Sequence, residues 1–210
     1  MTYWIRVNSR QFAVDTGGAM KRLIVGISGA SGVIYGLRLL QVLQQGGEIE
    51  SHLVLSAAAK ATIAQETNWK ISDVEALASV VHHPYDIGAS IASGSFVTMG
   101  MVIVPCSIKT LSAVANCYSA DLMSRAADVC LKEGRPLILC VRETPLHLGH
   151  LRLMTQAAES GATILPPIPA FYGNPATLDE VIDGTIGRIL LRLGIDNELY
   201  TKWKGMKSEK

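Results

Sequence analysis

The chain has 210 residues, the size of one domain, and its 49% hydrophobic against 18% charged residues is typical of a sequence that folds around an apolar core. Nineteen Lys and Arg against eighteen Asp and Glu give a net charge of +1, which disfavours nucleic acid or an anionic membrane surface as a partner. The mean hydropathy of +0.27 is high for a chain without a run of about 20 apolar residues. It predicts apolar surface that is buried between subunits of a homo-oligomer.

The amino-terminal residues do not look like part of the core. Residues 1–19 lack the continuous apolar stretch and the Ala-x-Ala site of a signal peptide. Met20-Lys21-Arg22 and the apolar run LIVGI follow, which is a typical start of a first strand. We therefore expect residues 1–19 to be an N-terminal extension outside the fold, residues 20–205 to form the domain and residues 206–210 to form a C-terminal tail.

Short β-branched runs alternate with amphipathic stretches along the rest of the chain. The predicted strands are 23–27, 52–55, 101–104, 137–141 and 163–165, and the predicted helices are 32–45, 57–67, 107–118, 121–133, 150–160 and 177–193. This order predicts an α/β fold whose parallel sheet is covered by helices on both faces. In such sheets, ligands bind beyond the carboxyl ends of the strands, where helix N-termini expose N–H groups.

The segment after the first strand, SGASG at 28–32, opens a helix with small residues. Backbone amides can therefore approach an anion, and two hydroxyls can add hydrogen bonds. A dinucleotide fingerprint needs glycine at positions 26, 28 and 31, but Ser28 and Ser31 occupy two of them. Ser56 stands after the second strand, where an acid would hold a ribose. A mononucleotide phosphate is favoured over NAD, and a tight turn without a ligand is the alternative.

Further polar groups follow the third strand in the segment PCSIKT at 105–110. Ser107 in this segment could equally be a simple N-cap. On the helix 121–133, Arg125 and Lys132 lie two turns apart with Asp128 between them. That spacing suits a phosphate and equally a solvated salt-bridge ladder.

Arg142 and Glu143 follow the fourth strand directly, so the architecture exposes this charged pair to a ligand. His147 and His150 lack the further ligands of a zinc site, and no metal is predicted. The Pro- and aromatic-rich segment 166–175 predicts a rigid wall for an apolar ligand.

Three smaller expectations concern other residues. His82 and His83, before Pro84, are expected in a loop, and Arg188 by itself would be a surface residue of the last helix. The cysteines include no CxxC pair and are assigned to apolar segments, which indicates reduced thiols and a cytoplasmic protein; they are Cys106, Cys117, Cys130 and Cys140.

Several motifs in register give the chain a specific resemblance. They are GISGASG at 26–32, SGS at 93–95, VPCSIKTL at 104–111, RAADVCLKE at 125–133, VRETPLHLGHLRLM at 141–154 and PAFY at 169–172. From residue 20 to about 205 the chain resembles the UbiX-like flavin prenyltransferases, formerly called phenylacrylic acid decarboxylases. The resemblance implies a flavodoxin-like (Rossmann-like) three-layer fold, and transfer of a dimethylallyl group from dimethylallyl phosphate to N5 and C6 of reduced FMN. It also implies a homododecamer without a metal, whose prenylated FMN is the cofactor of UbiD-type decarboxylases.

The resemblance assigns roles to particular residues. The FMN contacts it implies are Gly29, Ala30, Ser31, Ser56, Ser107, Ile108, Lys109, Thr110, Arg142 and Trp203. The dimethylallyl phosphate contacts it implies are Arg125, Lys132, Glu143, Tyr172 and Arg188. Glu143, Ser31 and Glu66 are the expected catalytic groups, with Glu143 as the acid for proton transfer. Gly173-Asn174 departs from the family, whose members commonly carry a larger or basic residue there.

Three alternatives remain at this point. An NAD-dependent oxidoreductase is weakened by the missing acid after the second strand. A phosphopantothenoylcysteine decarboxylase should carry a PxMN-type segment, which the sequence lacks. A non-catalytic FMN-binding delivery module would share the flavin site but not the chemistry.

Overall fold

Strands and helices alternate through the part of the chain that this computed structural model describes, which is residues 6–7, 20–203 and 205. The strands are β1 (Arg6–Val7), β2 (Lys21–Ile27), β3 (Ile49–Leu55), β4 (Val80–His82), β5 (Met101–Cys106), β6 (Leu137–Val141), β7 (Thr163–Ile164) and β8 (Ile195–Asp196). The helices are α1 (Val33–Gly46), α2 (Ala57–Glu66), α3 (Ile71–Glu75), α4 (Ile108–Ala115), α5 (Leu122–Lys132), α6 (Leu148–Glu159) and α7 (Leu178–Arg192). Single 3₁₀ turns lie at Ser90–Ala92 and Phe171–Gly173.

The main sheet has the strand order β4-β3-β2-β5-β6-β7, and every neighbouring pair is parallel. Without the edge strand β4, this is the doubly wound flavodoxin order, 2-1-3-4-5. The strand order reverses between β2 and β5, where α1 and α4 leave the sheet on opposite faces. The predicted flavodoxin-like α/β fold is confirmed.

Apolar side chains fill both faces of the sheet. One core cluster joins β2 and β3 to α1 and α7 through residues such as Leu37, Leu40 and Ile186. The other joins β5 and β6 to α4 and α5 through residues such as Leu111 and Ala126. The strands β5 and β6 are buried along their whole length because helices cover both of their faces, which explains their uninterrupted apolar sequences.

Three local features differ from the sequence-based expectations. His82 lies in β4 and not in a loop, and neither β4 nor α3 was predicted, because elements of three and five residues show no clear periodicity. Helix α4 ends at Ala115, so Cys117 is exposed in the following turn and does not lie in an apolar segment. The φ of Cys117 is 52°, which is in the left-handed region.

One part of the predicted N-terminal extension pairs with the end of the domain. Arg6–Val7 and Ile195–Asp196 form a two-stranded antiparallel sheet. The other residues of 1–19, and residues 206–210, lie outside the described residues, so the predicted domain boundaries stay a prediction. No described helix combines the length and the apolar character needed to cross a membrane.

A polar network is enclosed between β3, β4 and the chain before β5. His52, 3% exposed, contacts the Glu50 carboxylate through Nε2 at 2.7 Å and His82 Nε2 through Nδ1 at 2.9 Å. Because a carboxylate only accepts, Nε2 of His52 carries the proton and Nδ1 accepts from His82. Burial lowers the pKa of both histidines, so both are neutral at neutral pH.

We expect acid to weaken the fold through this network. An unfolded histidine has a pKa of about 6.5, and both folded values lie below it. The unfolded chain therefore binds more protons, and the free energy of unfolding should fall as the pH drops from about 6.5. Urea denaturation at pH 7.5 and 5.5 measures this loss. It should shrink in His82→Gln and persist in His83→Gln, and equal stability of the parent at both pH values would contradict the expectation.

Candidate functional site

A cleft of about 610 Å³ lies beyond the carboxyl ends of β2, β3 and β5. The predicted FMN residues that line it are Gly29, Ser56, Ser107, Lys109 and Thr110. The opposite wall includes Pro84 and Tyr85, which follow β4, and Met123 at the start of α5. The volume is within the usual range of small-molecule and cofactor sites.

Two helix N-termini point their first turns at this cleft. Ser56 caps α2, where its hydroxyl accepts from the Ala59 N–H at 3.0 Å. Ser107 caps α4 and accepts from the Thr110 N–H at 3.4 Å, with the Thr110 hydroxyl 3.1 Å away. The N-cap interpretation of Ser107 is therefore correct, and it is compatible with ligand binding. Two converging helix N-termini favour an anionic group such as a phosphate.

The buried hydroxyl of Ser28 connects the loops that follow β2 and β5. Ser28 Oγ donates to the Pro105 carbonyl at 2.9 Å and accepts from the Ser107 N–H at 2.7 Å. Ser28 was not among the predicted site residues. A serine in place of a fingerprint glycine was the only sequence signal of this role.

The first N–H groups at the start of α1 bond to a carboxylate, unlike those at the starts of α2 and α4. Glu66 Oε2 accepts from the N–H groups of Gly32 at 2.8 Å and Val33 at 3.3 Å. A carboxylate there satisfies amides that a phosphate would otherwise use, and its charge would repel an anion. The anion-binding ends at the cleft are therefore those of α2 and α4. Glu66 thus contacts the turn directly after Ser31. Ala30, Ser31 and Ile108 are not among the residues that line the cleft.

The cations of α5 lie away from the cleft lining. Arg125 Nη1 pairs with Asp128 at 2.8 Å, and its Nε donates to the Ala92 carbonyl at 3.2 Å. Lys132 pairs with Glu133 and not with Asp128. The predicted salt bridge to Asp128 is therefore present for Arg125, whereas the partner of Lys132 is Glu133. The SGS motif lies against these groups, since a Cβ on Gly94 would be 2.7 Å from Lys132 Nζ.

Tyr172 and Arg188 line a second, smaller hollow of about 230 Å³. The Arg188 guanidinium lies 5.6 Å from the centre of the Tyr200 ring. Trp203 makes an edge contact with Tyr172, with ring centres 5.7 Å apart. Within one chain, Trp203 therefore lies with the predicted substrate residues and not among the residues that line the large cleft.

Arg142 and Glu143 are exposed directly beyond β6. The Arg142 N–H donates to the Cys106 carbonyl at 3.0 Å, which places the pair next to the end of β5. Glu143 Oε1 accepts from the Thr144 N–H at 2.9 Å. Burial raises the pKa of Cys106 to about 12, so this neighbouring thiol is protonated and a poor nucleophile.

The rings of His147 and His150 lie 3.6 Å apart, at the start of α6. His147 caps that helix, because its Nδ1 accepts from the Gly149 N–H at 3.0 Å. Within residues 20–203, no three His, Cys, Asp or Glu side chains converge in the way a metal ion requires.

Comparison with known proteins identifies the family. The Flavoprotein family profile matches residues 14–190. Flavin prenyltransferase UbiX of Escherichia coli K12 is 62% identical over 188 residues, which are 89% of this chain and 100% of that protein. The chain belongs to the flavin prenyltransferase family. This membership disfavours the NAD-dependent oxidoreductase and the phosphopantothenoylcysteine decarboxylase.

Two solved structures of the family share the fold. The crystal structure of AnUbiX (PadA1) in complex with FMN and dimethylallyl pyrophosphate has a TM-score of 0.87 at 43% identity, covering 90% of this chain and all of that one. The dodecameric FMN-dependent UbiX-like decarboxylase from Escherichia coli O157:H7 has a TM-score of 0.85 at 44% identity, covering 88% of this chain and all of that one.

We expect Gly29→Ala to weaken FMN binding at least tenfold. The added Cβ would overlap the Ala58 Cβ and lie 3.2 Å from the Ala58 carbonyl carbon, so the first turn of α2 must move away from β2. Fluorescence titration with FMN measures the loss. Gly184→Ala is the matched control, because its Cβ meets no atom within 4 Å. Equal FMN affinity of Gly29→Ala and the parent would show that the cleft does not hold the flavin.

Proposed function

We propose that the chain is a flavin prenyltransferase that joins the dimethylallyl group of dimethylallyl phosphate to reduced FMN, giving prenylated FMN and phosphate. The 62% identity over nearly the whole domain is the observation that carries this proposal. The cleft at the strand-order reversal supports it independently, since mononucleotide cofactors bind there in flavodoxin-like folds.

The FMN phosphate is assigned to the starts of α2 and α4. Ser56, Ser107 and Thr110 provide hydroxyls there, and Lys109 provides a nearby cation. Gly29 lets the first turn of α2 pack closely against the loop after β2, because even a methyl group at this position would meet Ala58. The remaining family contacts, Ala30, Ser31, Ile108, Arg142 and Trp203, are part of the same proposal. Bound in this way, reduced FMN supplies the nucleophilic N5 and C6 atoms.

The cations have the second task, which is to stabilise phosphate as it leaves the dimethylallyl group. Arg125, Lys132 and Arg188 can compensate the developing negative charge without a metal. Tyr172 and the apolar segment before it can face the allylic carbon, since aromatic faces stabilise a cation and exclude water. Glu143 is assigned the transfer of the proton lost from the flavin ring, with Ser31 and Glu66 as supporting polar groups.

The active site requires more than one subunit. In one chain, neither the α5 cations nor the residues of the Arg188 hollow are among those that line the cleft. Large apolar side chains are exposed as well, among them Phe171 at 71% and Leu178 at 72%. Together with the dodecameric relative, these features support a homo-oligomer, a dodecamer, whose subunits share each site. A cytoplasmic location and transfer of the product to a UbiD-type decarboxylase belong to the same proposal.

Mass spectrometry of the flavin tests the proposed reaction. After anaerobic incubation with reduced FMN and dimethylallyl phosphate, the flavin should be heavier by one isoprene unit. Glu143→Gln should retain FMN but form this product about 10² to 10⁴ times more slowly, because it keeps the size of the side chain and removes its ionisation. Unchanged FMN with the parent would favour a delivery module. A parent-like rate for Glu143→Gln would remove its role in proton transfer.

We expect two variants with strongly impaired activity to restore each other if subunits share the site. Ser107→Asp keeps an N-cap but places a negative charge in the flavin cleft, and Lys132→Met removes a phosphate cation. When they are co-expressed with different tags, some sites combine an intact cleft with an intact Lys132 from the neighbour, and activity should return. Ser107→Asp co-expressed with Thr110→Asp is the control, since both alter the cleft. Absence of activity in the first mixture would place the complete site within one chain.

A further inference from the structure

The chain between the Ser90–Ala92 turn and β5 carries a short loop, residues 93–96, that the proposed chemistry does not yet explain. Arg135, between α5 and β6, holds this loop from one side. Its Nη1 donates to the Phe96 carbonyl at 2.8 Å, and its Nη2 donates to the Gly94 carbonyl at 2.5 Å. One planar guanidinium therefore fixes two carbonyl groups that are two residues apart.

The side chain of Phe96 anchors the same loop from the other side. The Arg22 guanidinium lies 4.7 Å from the centre of the Phe96 ring, and the His52 ring meets it edge-on at 5.2 Å. Directly before the loop, the Ala92 carbonyl accepts a hydrogen bond from Arg125 Nε. The loop is thus held at both ends, and Arg135 is the group that fixes its middle.

The position of the loop determines where the Lys132 side chain can lie. Gly94 packs against the pair formed by Lys132 and Glu133, because a Cβ on Gly94 would be 2.7 Å from Lys132 Nζ and nearer still to the Glu133 carboxylate. A loop released from Arg135 would remove this surface. The ammonium group would then sample more positions, and ordering it on a phosphate would cost side-chain entropy.

We propose that Arg135 is a positioning residue for the prenyl donor: it fixes the 93–96 loop, and the loop places Lys132 for the donor phosphate. The inference rests on the proposed prenyltransferase function. In this role Arg135 acts through the loop, to which both Nη1 and Nη2 donate, and not through a contact of its own with substrate or flavin. Its loss should therefore change donor binding more than the chemical step.

Steady-state kinetics with dimethylallyl phosphate tests the proposal. Arg135→Gln should raise the KM for the donor about tenfold or more, with a smaller fall in kcat and no change in the Kd for FMN. Arg135→Lys should rescue little of this, because one ammonium cannot reproduce the planar fork. Arg192→Gln is the matched control, since Arg192 lines the same surface hollow as Arg135 but bonds to Thr163. A parent-like donor KM for Arg135→Gln would overturn the proposal.

A double-mutant cycle separates positioning from general destabilisation. If Arg135 acts through Lys132, then Arg135→Gln should add little to the KM of Lys132→Met, whereas independent effects would multiply. Gly94→Ala leaves Arg135 intact and displaces only the flexible ends of Lys132 and Glu133, so it should also raise the donor KM in a folded protein. Multiplying effects, or a parent-like Gly94→Ala, would refute the route through Lys132. If the parent forms no prenylated FMN, both the function and this inference fail; if it does, a failure concerns Arg135 alone.

Discussion

The hydrogen bonds of the Ser28 hydroxyl connect the two strands at which the sheet order reverses. Ser28 is 1% exposed, and its Oγ bonds to the Pro105 carbonyl and to the Ser107 N–H. A buried hydroxyl with both of these partners fixes the loop after β2 relative to the start of α4. Loss of the hydroxyl would leave the Ser107 N–H without its acceptor, at a cost of about 1–3 kcal/mol, whereas the Pro105 carbonyl would keep its bond from the Ser28 N–H. The width of the flavin cleft depends on this junction, because Gly29 and Ser107 stand on its two sides.

The direction of the helices explains why one chain separates the proposed site into parts. Helix α5 begins at the cleft with Met123 and returns toward the amino end of β6, as the connection between parallel strands requires. Lys132, seven residues after Arg125, therefore lies about 10 Å farther from the carboxyl edge of the sheet at 1.5 Å per residue. A cation at that depth is remote from its own flavin cleft. It can complete a site only where a neighbouring subunit brings a cleft to this surface.

Long periodic segments of the sequence predicted the sheet and the helices that cover it. Short elements, and features that depend on contacts between side chains, could not be predicted in this way. The predicted strand 137–141 coincides with β6, because a run of five apolar residues is typical of a strand that is buried on both faces. Strand β4 has no fully buried residue and gives no such pattern. The contact of Glu66 with the start of α1 joins residues more than thirty positions apart, so local spacing could not reveal it. The cationic residues were assigned by motif alone, since Arg125 with Asp128 is also an ordinary helix pair.

The carboxylates beside the α5 cations prepare the surface for an anion and do not block it. Lys132 and Glu133 are 45% and 35% exposed, and a solvated ion pair of this kind contributes little to stability. The hydrogen bond from Lys132 lowers the pKa of Glu133, so the acid stays ionised and holds the ammonium near the 93–96 loop at neutral pH. A phosphate dianion offers more acceptor oxygens and more charge than the carboxylate, and it can therefore take over the ammonium at little cost. Weak pairing in the resting chain thus suits these cations to their proposed role, in which they bind the donor phosphate and release it after the prenyl group has been transferred.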